Sequence, residues 1–71
     1  MITEIQSDLI GMLKSFRIDK ETTLAIMTLL ETDKNRLRLL QAMAQIHKEK
    51  GEVKEQDVQK LVLMITGKRK Y

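Results

Sequence analysis

The sequence predicts an all-α fold, a compact bundle of four short helices, and three observations carry that expectation. Pro is absent, and the three Gly stand far apart at 11, 51 and 67. Apolar residues recur at spacings of three and four along the whole chain, the period of helices with one buried face. No segment alternates apolar and polar residues for long, as a half-buried strand must. With 71 residues the chain holds a single domain spanning 1–71.

The first helix is predicted over about residues 4–16. Thr3-Glu4-Ile5-Gln6 has the form of a capping box, in which the Thr oxygen accepts one free N–H and the Gln side chain accepts another. Ile2, Ile5, Leu9, Met12, Leu13 and Phe16 then form one stripe. Gly11 lies inside this helix, where it permits a close crossing or is simply tolerated at about 1 kcal/mol against Ala.

The second helix is predicted over about 20–31, with Asp19 as N-cap. Leu24, Ala25, Ile26, Met27, Leu29 and Leu30 leave it little polar surface, so it is expected to be central or shared with a partner. The third is predicted over about 34–50, capped by Thr32 or Asp33 and ended by Gly51, the residue that accepts a left-handed backbone most readily. Leu37, Leu39, Leu40, Ala42, Met43, Ala44 and Ile46 cover an arc of about 220° on its wheel. One neighbouring helix is too narrow to cover such an arc. The fourth is predicted over about 55–66. Lys54 is a poor cap, but Val53 and Val58 stand at the two ends of a hydrophobic staple, and Glu55 and Asp57 suit the helix dipole. Val58, Leu61, Val62 and Ile65 form its buried stripe, Gly67 ends it, and the basic tail 67–71 is expected to fray.

Composition limits the chemistry available. There is no Cys, one His, one Phe, one Tyr and no Trp, so disulfides and thiolate metal sites are excluded and the core must be aliphatic. No metal site and no cofactor are expected. The N-terminal "MITEIQSDLIGMLK" has acids where a signal peptide has bases and no long apolar run, which predicts a cytoplasmic protein with no membrane role. No Gly-rich phosphate loop, calcium-loop acid cluster or nucleophile elbow is present, and Ser7 and Ser15 read as surface or cap residues. His47 falls in the last turn of the third helix, where it suits the dipole, and Glu49 lies about 160° round the helix from it. Arg36, on the apolar arc, is expected to snorkel or to pair with Glu31 or Asp33. The sequence therefore predicts no enzyme.

The stretch "GEVK" between the third and fourth helices has the length of a helix-turn-helix turn. The following helix opens with Glu55 and Asp57, the wrong charge to approach phosphates. The opening "GEVKEQDV" is also similar to a winged-helix corner, but only "TGKRKY" follows the last helix, too little for a recognition helix and wing. A structural turn is expected here.

Two surfaces remain as candidates. A 71-residue chain without a staple usually needs a partner, and the apolar surplus predicts a protein interface at Leu39, Met43 and Ile46 on the third helix with Ile26, Leu29 or Leu30 on the second. A homodimer is the first expectation and another protein partner the second. The resulting function is a small non-catalytic cytoplasmic interaction or regulatory module. The alternative is a nucleic-acid-binding regulator. Lys34, Arg38, Gln41, Gln45 and Lys48 line one polar stripe of the third helix, and Lys68, Arg69 and Lys70 add phosphate contacts from the tail. Charge is divided unequally: residues 1–33 carry three bases and six acids (−3), residues 34–71 ten bases and four acids (+6). Such a division suits an anionic partner or head-to-tail pairing of protomers.

Residues 22–43, "TTLAIMTLLETDKNRLRLLQAM", followed by "VKEQDVQKLVLMI" at 53–65, resemble short uncharacterised all-helical proteins of Gram-positive bacteria and their mobile elements. In those, a T-x-x-I-M-x-L-L helix leads into a T-[DE] turn and a long helix. The resemblance covers about half the chain. Lys54 departs from the Ser or Thr usual in that pattern, as does the basic third helix. It implies a small bacterial helical protein and assigns no functional residue.

Overall fold

The sequence opens with its own helix start, and the computed structural model, which describes residues 2–67, places it there. Helix α1 runs Glu4–Ser15. The Gln6 N–H donates to Thr3 Oγ1 at 3.1 Å while the Thr3 N–H donates to Gln6 Oε1 at 3.0 Å, so both halves of the predicted box form. Its end lies within a residue of the sequence expectation, but the turn that makes it was not legible there. Ile18 N–H donates to Leu13 O and Arg17 N–H to Lys14 O, both at 3.0 Å. These are the two bonds of a Schellman ending, and Arg17 takes the left-handed position at φ 65° that Gly usually fills. The turn folds Ile18 into the core beside Leu13.

Helix α2, Lys20–Leu30, starts on Asp19, whose carboxylate accepts from Thr22 N–H at 2.7 Å. Helix α3, Asp33–Lys50, starts on Thr32, whose hydroxyl accepts from Asn35 N–H at 3.2 Å. Its 18 residues make it the longest element, about 27 Å. Gly51 closes it at φ 81°, donating to His47 O at 2.8 Å. Helix α4, Glu55–Thr66, has no acceptor on Lys54. Instead the Lys54 N–H donates to Asp57 at 3.2 Å, and Val53 and Val58 are both buried. Gly67 ends α4 at φ 68°.

The described residues form an all-helical bundle with no strand among them. Helices α2 and α3 are central: each packs on the other and on both α1 and α4. Leu9 and Leu13 of α1, Leu30 of α2, Leu39 and Met43 of α3 and Val58 of α4 have no solvent exposure. Ile18, Ile26, Met27, Val53 and Val62 complete the core. Gly11 needs no crossing partner: a Cβ there meets open space.

The wide apolar arc of α3 is disposed of inside one chain. Three neighbouring helices meet it from different sides, so Leu39 and Met43 are sealed and Leu40, Ala42 and Ile46 are half-covered. Only Leu37 and Ala44 at its margins stay exposed. The inference of a surplus on α3 is thereby corrected: a 71-residue four-helix chain has enough neighbours to cover about 220° of one rod.

Candidate functional site

The six residues expected to form an interface are divided by the fold. Leu30, Leu39 and Met43 are at 0% exposure and Ile26 at 4%, so they belong to the core and offer no surface. Ile46 is half-buried against the same core. Leu29 alone keeps a large exposed face, at 47%.

Leu29 has acquired a companion that the helical stripe did not point to. Leu63, 53% exposed, lies off the α4 stripe formed by Val58, Leu61, Val62 and Ile65. Leu29 and Leu63 flank a groove between α2 and α4 whose other lining residues are Ile26, Val62 and Gln59. The groove has a volume of about 250 Å³, and Gln59 is the only polar side chain among the described residues that line it. Leu24 and Met64 add exposed apolar surface elsewhere on the same two helices. The available signal lay in α4 itself: Leu63 and Met64 fall off its predicted stripe, and both are exposed.

The polar stripe of α3 is exposed as predicted along Lys34, Arg38, Gln41, Gln45 and Lys48. Gln45 is engaged within the helix, its amide donating to Glu49 at 2.9 Å, which also brings an acid beside the stripe. Lys68, Arg69 and Lys70 lie outside the described residues, as does most of the tail expected to fray.

His47 is exposed in the last turn of α3. Its ring stands 5.4 Å from that of Phe16, tilted by 54°, and so ties the end of α3 to the end of α1. Arg36 does pair with Asp33, Nη1 donating at 2.9 Å, but its second hydrogen bond spans nine residues: Nη2 donates to Met27 O at 2.8 Å. Asn35 Nδ2 likewise donates to Leu30 O at 2.9 Å. The first turn of α3 thus supplies side-chain donors to carbonyls in the last turn of α2. The Arg36 Nε is buried with no hydrogen-bond partner.

The carboxyl group of Asp19 has a displaced pKa. Hydrogen bonds from the Thr22 side chain and then from its backbone N–H hold Asp19 below the usual carboxylate value of 3.8. Among the described residues, no three His, Cys, Asp or Glu side chains are grouped to share a metal ion. No helix among them is long and apolar enough to cross a membrane. Comparison with family models, curated proteins and solved structures finds no match to this chain.

Proposed function

We propose that this chain is a small non-catalytic interaction module of the cytoplasm, and that its partner surface is the α2/α4 groove rather than the face of α3. The observation that carries this reading is the pair Leu29 and Leu63. Two leucines about half exposed stand over Ile26 and Val62, with one neutral polar residue beside them. A leucine or isoleucine from a facing helix fits between them, and the water released is a driving force for association at about 25 cal/mol per Å² of apolar area covered. The occupant we assign is a second copy of the chain. Two copies related by a twofold axis bring the same leucines against the same groove, an isologous pairing. The size of the chain and its lack of disulfides favour such a staple.

The experiment is light scattering together with thermal melts across a hundredfold range of concentration. The wild-type melting temperature is expected to rise with concentration. Leu29→Glu and Leu63→Glu are expected to reduce that rise while leaving the dilute-limit melting temperature close to wild type, since both positions are already half in water. A wild-type chain that scatters as a monomer at every concentration refutes the assignment.

A second reading is favoured by the exposure of Lys34, Arg38 and Lys48 along one face of α3. On that reading the stripe neutralises the phosphates of a nucleic acid. Arg38→Ala with Lys48→Ala then weakens DNA retention and reduces its salt slope by about one for each phosphate left unneutralised. No retention at low salt removes it.

A further inference from the structure

The joint between α2 and α3 is short and strained. Glu31 has φ 68° and ψ −43°, and Thr32 N–H donates back to Leu30 O at 2.7 Å. This is a γ-turn of the positive-φ hand, rare and strained for any residue other than Gly. Glu31 and Thr32 are the only residues between the two helices. Nothing in the sequence forbids the alternative, since between Gly11 and Gly51 there is no Gly and the chain has no Pro. A helix continuous from 20 to 50 is sterically available to these residues.

The hydrogen bonds that hold the corner closed have replacements in that helix. Leu30 O, now served by Thr32 N–H and Asn35 Nδ2, takes the Lys34 N–H in an unbroken ladder. Met27 O, now served by Arg36, is an acceptor position of that ladder too. Opening also returns the partnerless Arg36 Nε to water. What an open chain gives up is tertiary packing, because α1 packs on α3 and α2 on α4 across the corner. A second open copy restores all of it. The two halves also attract each other: the charge divides into −3 over residues 1–33 and +6 over residues 34–71, almost at the corner itself.

We infer that the Glu31 corner is a strained hinge latched by Asn35 and Arg36, and that the chain opens there to exchange its α1–α2 half with a second copy. The product is a dimer in which residues 20–50 form one straight helix. Strained two-residue joints are the known setting for such exchange. This route makes no use of the groove, so it stands or falls apart from the α2/α4 assignment.

The test compares Glu31→Gly with Glu31→Ala. Both remove the same carboxylate, but Gly relieves the strained φ and disfavours a helix at the joint, whereas Ala does the reverse. The dimer dissociation constant is expected to be lower for Glu31→Ala than for Glu31→Gly by about thirtyfold or more. Asn35→Ala, which opens the latch, is expected to shift in the same direction as Glu31→Ala. Geometry is read with spin labels on Glu21→Cys/Glu49→Cys in the Asn35→Ala chain, diluted into unlabelled chain. The labelled positions stand about 42 Å apart along a straight helix, against a longest dimension of 34 Å for the closed fold. A concentration-dependent population near 42 Å that survives Leu63→Glu supports the hinge. A dimer whose labels stay within the closed dimension overturns it, and so does a monomer in Glu31→Ala and Asn35→Ala at millimolar concentration.

Discussion

Replacing Leu39 by Ala tests where the apolar arc of α3 is spent. The side chain is fully buried among residues of the other helices. Its truncation removes apolar packing and leaves a void that a four-helix core without large aromatic residues closes only in part. Leu→Ala changes of this kind span about 2–5 kcal/mol, and complete burial places this one near 3 kcal/mol or above. A 71-residue domain has about 4–11 kcal/mol in total, so the variant loses a large share of its stability. In thermal terms the loss is about 12–24 °C, at roughly 4–8 °C per kcal/mol for a domain of this size. The assay is urea denaturation followed by circular dichroism at 222 nm, at a concentration low enough to suppress association. Leu29→Ala, at 47% exposure, serves as the comparison and is expected to lose less than half as much. A Leu39→Ala chain within about 0.5 kcal/mol of wild type, the range of ordinary surface changes, refutes the placement of this residue in the core.

Three further outcomes follow from local geometry. Gly11→Ala, with open space around the new methyl, is expected to stabilise α1 by about 1 kcal/mol; a destabilised variant in the same urea assay contradicts that. Arg17→Gly removes a side chain from a left-handed position and is expected to raise stability by about 1 kcal/mol, read as a higher denaturation midpoint with unchanged slope. The lowered pKa of Asp19 carries a sign: a carboxyl whose folded pKa is depressed stabilises above its unfolded value and stops doing so as pH falls through the folded one. Stability is therefore expected to decline below about pH 3.8 partly through this group. Asp19→Asn, which keeps a capping oxygen, should show a shallower decline between pH 5 and 2; an identical slope refutes the assignment.

The helix ends that were legible in the sequence are those written in short-range chemistry. Thr3 with Gln6, Asp19, Thr32, Gly51 and Gly67 each act within four residues of themselves, and each does so in the structure. The two ends whose turn chemistry was not legible, though their positions were, use Arg17 and Glu31 at positive φ. Their residue types carry no mark of that conformation, which tertiary packing imposes. The same limit hid the reach of Arg36 to Met27, nine positions away. Ile26, Leu30, Leu39 and Met43 lie in the core rather than at a surface, because a helical wheel gives the width of an apolar arc without the number of neighbours that share it. Leu63 shows the reverse: off its own stripe, it went unassigned, yet it stands at the edge of the groove.

The aliphatic core leaves the molecule almost dark to ultraviolet light: there is no Trp, the one Tyr is at position 71, and the one Phe sits half-buried against His47. Sulfur takes over that reporting duty. Each helix holds a single methionine, Met12 in α1, Met27 in α2, Met43 in α3 and Met64 in α4. Their depths run from sealed at Met43 to three-quarters exposed at Met64. Carbon-13 labelling of the S-methyl groups therefore gives one resonance per rod, and a spin-labelled solvent probe ranks the four by depth without altering a residue.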